Sequence, residues 1–137
     1  MDPTFTENTP SVSRMVAPRT ILLIDDEEYI LKFMGILLRA RGYQVLMTAD
    51  SFRGLEVAMS GAADLVVTDL MMPRLDGLTL IKRLHAFSNL PVIVVSGCES
   101  DAVRIDALEN GAADYFPKPF DLERLVECIA AGLPAAA

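Results

Sequence analysis

The chain has 137 residues, 52% of them hydrophobic and 23% charged, and its 12 basic and 19 acidic side chains give a net charge of −7. That length suits one folded domain with one core. The acidic balance argues against direct binding to a nucleic-acid backbone, which needs clustered Lys and Arg. The two cysteines, Cys98 and Cys128, have no second Cys or His at metal-ligand spacing, which argues against structural zinc or a disulfide framework. No signal peptide and no apolar run long enough to span a bilayer is present, so the expected location is cytoplasmic, without membrane insertion.

Residues 1–18 are rich in Ser, Thr and Pro and lack apolar periodicity, the pattern of a flexible tail. The folded domain is expected over 19–132, with 133–137 a C-terminal tail or the start of a linker. From Thr20 onward, apolar runs rich in β-branched residues begin at Ile21, Tyr43, Leu65, Val92 and Asp114, at spacings of 22, 22, 27 and 22 residues. Each run is followed by a helical stretch, the sequence form of βα units. The strands are β1 (20–24), β2 (from Tyr43), β3 (65–68), β4 (92–95) and β5 (from Asp114). The runs ILLI, LVVT and VIVV contain no polar alternation, as expected for parallel strands covered on both faces by helices.

In the first helix, α1, residues Ile30, Phe33, Met34, Leu37 and Leu38 follow the i, i+3, i+4, i+7, i+8 template of one buried stripe. It stops at Gly42, after Arg39 and Arg41, and further stops are expected at Gly61, Gly111 and Gly132. His85, the only histidine, lies in the third helix within LIKRLHAF (80–87) and reads as a solvated residue. The fourth helix, α4, ends before Gly111 and carries two apolar stripes, Ala102, Ile105 and Leu108 against Val103 and Ala107. Both cannot be buried on one sheet face, so part of α4 is left as a partner surface. Asp121 reads as the N-cap of α5 (122–131).

Five βα units at this length fit an α/β, doubly wound, five-stranded parallel sheet in the order 2-1-3-4-5, a flavodoxin-like (βα)5 fold. An eight-fold barrel needs roughly 200 residues or more. Ligands of such sheets bind beyond the carboxyl ends of the strands where the winding reverses, here after β1 and β3. β1 runs into Asp25-Asp26-Glu27-Glu28 and β3 runs into Asp69. Two carboxylates about 4 Å apart repel by roughly 4 kcal/mol at an effective dielectric near 20, so such a cluster calls for a counter-charge. Hard oxygen donors in a small site favour Mg²⁺ over zinc or a caged calcium. The plainer reading of residues 25–28 is negative charge at a helix start. Asp69, followed by Leu-Met-Met-Pro, has no helix start beside it. β4 ends in Ser96 and β5 in Lys118-Pro119, a hydroxyl and an ammonium suited to a phosphoryl group.

The series LLIDDEE, VVTDLMMPRLDG, VIVVSG and DYFPKPF resembles the receiver domains of two-component response regulators, which are CheY-like, over about residues 19–132. The resemblance implies that Asp69 is the phosphoacceptor for a sensor histidine kinase or histidine phosphotransfer protein. It implies that Asp25 and Asp26 hold Mg²⁺, Asp26 directly and Asp25 through water, together with Asp69 and the Met71 backbone carbonyl. Lys118 and Ser96 would bind the phosphoryl group, Ser96 and Tyr115 would act as the switch, and the Lys118–Pro119 peptide would be cis. The α4-β5-α5 surface would pass the change to a downstream protein or to a second copy of the chain. Such a domain is a signalling phosphoacceptor that catalyses only its own phosphorylation and slow dephosphorylation.

Pro117 departs from the family's usual aliphatic residue and is tolerable because β5 is an edge strand. Met71 and Cys98, two residues after Asp69 and Ser96, flank the path of attacking water in receivers. Neither carries a charge or an amide to orient that water, which implies a moderately long-lived aspartyl phosphate. With 19–132 assigned to the receiver, no room is expected in this chain for an output domain. A small aspartyl-phosphate phosphohydrolase is one rival, but it needs a second Asp where Met71 stands. A non-phosphorylated binding module of the same fold is the other.

Overall fold

The computed structural model describes residues 18–97 and 100–133. The tails expected over 1–18 and 133–137 lie, apart from Pro18 and Leu133, outside those residues, as does Cys98. The described chain alternates β1 (Thr20–Ile24), α1 (Glu28–Ala40), β2 (Gln44–Thr48), α2 (Ser51–Met59), β3 (Leu65–Asp69), α3 (Gly77–His85), β4 (Val92–Ser96), α4 (Asp101–Glu109), β5 (Asp114–Pro117) and α5 (Leu122–Gly132). Each strand begins within one residue of the position read from the apolar runs. All pairings are parallel, in the order β2-β1-β3-β4-β5. Among the described residues, no helix is long and apolar enough to cross a membrane.

Side chains alternate across a strand, so the continuous apolar runs feed two cores at once. Leu22, Ile24, Val66, Val92 and Val94 pack with Leu55 and Ala58 of α2, with Leu80, Ile81 and Leu84 of α3, and with Ala107 of α4. On the opposite face, Ile21, Leu23, Leu65, Val67, Ile93 and Val95 pack with Leu31, Met34 and Leu38 of α1 and with Leu125 and Ile129 of α5. Full burial of an aliphatic side chain of this size contributes roughly 1.5–3 kcal/mol, so the two layers hold all three central strands rigidly. Rigidity there matters because the residues that follow those strands form the site.

The edges follow from pairing. Lys118 N–H donates to the Ser96 carbonyl at 2.7 Å. With alternating orientation along the strand, the preceding Pro117 nitrogen faces away from β4 toward the open edge, where a missing N–H costs no ladder bond.

Three expectations are corrected. The buried face of α1 is Leu31, Met34, Gly35 and Leu38, while Ile30 and Leu37 are half-buried and Phe33 is 56% exposed. The apolar residues of α1 satisfy two overlapping helical templates. The close approach of Gly35 to Met47 of β2, where an added Cβ would lie 3.1 Å from Sδ, selects between them. Gly132 ends α5 without a left-handed backbone; its packing partner is Leu65, whose Cδ1 would lie 3.2 Å from an added Cβ. His85 is half-buried rather than solvated, with Nε2 2.8 Å from the Leu90 carbonyl, a contact that requires the proton on Nε2. In α4 the inner stripe is Val103 and Ala107, leaving Ile105 47% and Leu108 36% exposed.

The His85 ring also lies against the α4–β5 turn. Gly111 has φ of +110°, and a methyl group there would sit 2.5 Å from His85 Nδ1. Gly111→Ala is expected to lower stability by about 1–3 kcal/mol through backbone strain plus this contact. In urea denaturation the combination with His85→Ala should cost less than the sum of the two single changes.

Candidate functional site

A parallel sheet sends all of its carboxyl ends to one edge. Asp25 directly follows β1, Asp69 and Ser96 are the last residues of β3 and β4, and Lys118 directly follows β5. Backbone bonds lock these ends together, with Asp25 N–H donating to the Thr48 carbonyl at 3.2 Å and Lys118 N–H to the Ser96 carbonyl at 2.7 Å. At the centre stands the Lys118 ammonium, which donates to Asp25 Oδ2 at 2.8 Å, Glu27 Oε1 at 2.8 Å and Asp69 Oδ2 at 3.2 Å. The remaining oxygens of the two aspartates are held by backbone amides: Asp25 Oδ1 accepts from Glu27 N–H at 2.9 Å and Asp69 Oδ1 from Met71 N–H at 3.1 Å.

The Asp25 and Asp69 side chains are each 7% exposed, and that of Glu27 is 41% exposed. Burial pushes the Asp25 carboxyl above its ordinary pKa, and the Lys118 hydrogen bond offsets only part of that. Burial by itself would lower the Lys118 ammonium, but the hydrogen bonds to Asp25 and Glu27 and the charge of Asp69 outweigh it and raise the pKa. The Lys118 hydrogen bond holds Glu27 below the usual carboxylate value.

The loop after Asp69 is shaped by close approach. A Cβ on Gly77 would lie 2.6 Å from the Asp69 carbonyl oxygen and 2.8 Å from Leu70 Cα, so only glycine lets α3 start against the end of β3. Arg74, at φ of 71°, anchors the loop to α2. Its guanidinium pairs with Asp50 at 3.2 Å and lies 4.8 Å from the centroid of the Phe52 ring. On the other side of Lys118 an apolar groove of about 590 Å³ is lined by Glu27, Tyr29, Ile30, Phe33, Phe120 and Leu122 among others.

The expected site residues therefore divide. Asp25, Asp69 and Lys118 meet directly, and Ser96 is fully buried at the adjoining strand end. Tyr115 is buried in the same core as Val94 and Ala107, and the Lys118–Pro119 peptide is cis. Met71 directs its backbone N–H at Asp69 and leaves its side chain 62% exposed. Asp26 differs from expectation. The carboxylate oxygens within 4.8 Å of one another belong to Asp25, Glu27 and Asp69, whereas Asp26 is exposed and outside that group. The chain bends at Asp26, and Asp25 Oδ1 accepts from Glu27 N–H across that bend, leaving the Asp25 and Glu27 carboxylates on the side that faces Lys118. Within the run of four acids no sequence signal separates Glu27 from Asp26. The buried Asp25 and Asp69 carboxylates are hard donors that suit an oxygen-preferring divalent cation such as Mg²⁺.

The family model of the response regulator receiver domain matches residues 21–130. The chain belongs to that family. Receiver domains are signalling modules rather than classical enzymes. Over 121 residues the chain is 37% identical to the transcriptional activator protein PfeR of Pseudomonas aeruginosa, covering 88% of this chain and 39% of that protein. Over 110 residues it is 37% identical to the response regulator MprA of a Mycobacterium species, covering 80% of this chain and 48% of the relative. It thus spans less than half the length of these two relatives. Among solved structures, a Francisella response regulator receiver domain superposes with a TM-score of 0.78 at 31% identity, covering 82% of this chain and 94% of that one. A CheY-like receiver domain protein of Methanospirillum hungatei gives 0.79 at 28% identity, covering 84% and 93%.

The charge balance of this receiver domain is testable in the metal-free protein. Lys118→Met leaves buried carboxylates without their cation and is expected to cost about 3 kcal/mol. Asp25→Asn is expected to stabilise by about 0.5–2 kcal/mol near neutral pH, the usual direction when a functional site is neutralised. Because folding raises the Asp25 pKa, the wild-type protein regains stability as pH falls through that value, so the advantage of the Asn variant should shrink in acid. Urea midpoints across a pH series check both statements.

Proposed function

We propose that this receiver domain works in the cytoplasm and accepts a phosphoryl group on Asp69 from a phosphohistidine of a sensor histidine kinase or histidine phosphotransfer protein. The observation that carries this reading is the convergence of buried Asp69, Asp25 and Lys118 at one strand-end crevice. In the transfer, an Asp69 carboxylate oxygen forms a bond to phosphorus as the phosphorus–nitrogen bond to the donor imidazole breaks, and the imidazole leaves with the electron pair. Such a displacement needs positioning and charge neutralisation more than covalent participation by other groups. The Met71 amide and the Lys118 ammonium hold Asp69 from two directions, which supports the positioning part. Lys118 supplies a cation to the phosphoryl oxygens, and Ser96 a hydroxyl.

Asp25 and Asp69, with Asp26 and the Met71 backbone carbonyl as the receiver resemblance implies, would hold Mg²⁺, which would neutralise phosphoryl charge, although Asp26 lies outside the Asp25–Glu27–Asp69 group. Ser96 and the buried Tyr115 ring carry the change to the surface of α4, β5 and α5, where Ile105 and Leu108 are available to a downstream protein or to a second copy of the chain. The exposed apolar groove beside Lys118 gives the phosphodonor a surface next to Asp69. The relative PfeR is a transcriptional activator, and a regulatory output of that kind suits this chain as well.

Incubation with acetyl phosphate and Mg²⁺ should add one phosphoryl group by intact mass, abolished in Asp69→Asn and by chelation of the metal. The adduct should persist for minutes rather than seconds, because neither Met71 nor Cys98 carries a charge or an amide suited to orienting water. Absence of an adduct would favour a binding module without phosphorylation chemistry, and sustained phosphate release at enzyme rates would favour a phosphohydrolase.

A further inference from the structure

The Lys118 ammonium has three N–H donors and no acceptor, and three carboxylates take them. Glu27 stands out among the three. It occupies the N-cap position of α1 but makes no side-chain cap bond. The caps of the other helices, Asp50, Asp76, Ser100 and Asp121, each accept a backbone N–H from their own first turn. A capping side chain contributes about 1 kcal/mol, which Glu27 forgoes. Its two oxygens are committed elsewhere, Oε1 to Lys118 at 2.8 Å and Oε2 to the Tyr29 hydroxyl, which donates at 3.1 Å. Tyr29 is 67% exposed, so its hydroxyl orients the carboxylate without burying it.

We propose that Glu27, aimed by Tyr29, is a positioning residue that competes with the phosphoryl group for Lys118 and so sets how tightly the phosphorylated state is held. This rests on the reading of Asp69 as phosphoacceptor. A phosphoryl group on Asp69 presents several anionic oxygens to one ammonium, and every N–H that Glu27 retains is withheld from them. Of the three carboxylates, Glu27 is the one that releases Lys118 most readily. Its side chain is 41% exposed and recovers water, whereas Asp25 and Asp69 at 7% would be left as buried charges.

The test uses beryllofluoride, a phosphoryl mimic, titrated in saturating Mg²⁺ and followed by ¹⁹F NMR, with Mg²⁺ affinity measured separately. Glu27→Asp keeps the charge, suits the N-cap and is one methylene too short to keep its bond to Lys118. Glu27→Gln keeps the length and loses the charge. Both are expected to bind beryllofluoride about two- to fivefold more tightly than wild type, the range for a partly exposed ion pair, with Tyr29→Phe shifted less in the same direction. For Glu27→Asp the Mg²⁺ affinity should stay within about twofold of wild type, and its thermal midpoint at or above it.

Unchanged beryllofluoride affinity in the two Glu27 variants would overturn the proposal. So would tightening in Glu27→Gln alone, which would assign the effect to charge and not to the bond with Lys118. A loss of Mg²⁺ affinity of about tenfold in both would make Glu27 a metal ligand instead. If wild type itself takes up no beryllofluoride, the phosphoacceptor reading of Asp69 fails and the competition with it. Failure confined to the variants leaves that reading standing.

Discussion

The structure turns on one ammonium. Lys118 stands where three carboxylates meet, and at about 4 Å each unscreened pair of them repels by roughly 4 kcal/mol even at an effective dielectric of 20. The cation is the reason these acids share a crevice without pushing the ends of β1 and β3 apart. It comes from the far end of the chain, 93 residues after Asp25. Only the parallel arrangement of the sheet, which brings β5 around to the same edge, supplies it. The three N–H donors of Lys118 join the three carboxylates into one cluster.

The remainder of the fold serves to hold that crevice still. The central strands are buried on both faces, so small displacements of their ends would disturb two packed layers at once. Gly77 permits α3 to begin in contact with the Asp69 carbonyl, and Arg74 ties the intervening loop to α2 through Asp50 and Phe52. A site that concentrates negative charge is held by apolar packing elsewhere, the usual relation between a functional centre and its scaffold. Solvent reaches the cluster at Glu27, 41% exposed, and the α4 face, where Ile105 and Leu108 are left uncovered.

Much of this was legible in the residues. Continuous β-branched runs identify the three strands buried on both faces, glycine stops identify the ends of α1, α2 and α4, and Asp121 identifies the start of α5. Gly42, Gly61 and Gly111 all adopt positive φ, as helix-ending glycines do. Asp25, Asp69 and Lys118 could be assigned to one crevice because ligands of doubly wound sheets lie beyond the strand ends. Where two helical templates overlapped, as in α1, the apolar pattern could not choose a face. The choice was made by the close approach of Gly35 to Met47 of the neighbouring strand. His85 failed as a solvated residue for a related reason, since its partner is a backbone carbonyl that no side-chain pattern announces.

The sequence by itself determined the order of elements, the two-faced burial of β1, β3 and β4, and the kinds of group that reach the carboxyl edge, because periodicity and local capping are properties of neighbouring residues. The tertiary structure decided which of four consecutive acids face Lys118, which face of α1 is buried and where His85 bonds. Those outcomes depend on distances between segments far apart in the chain. The substitution of Glu27 for Asp26 in the acidic cluster shows the division most clearly. The acidic run was plain at residues 25–28, but the bend at Asp26, between the end of β1 and the start of α1, settled which carboxylates meet the ammonium.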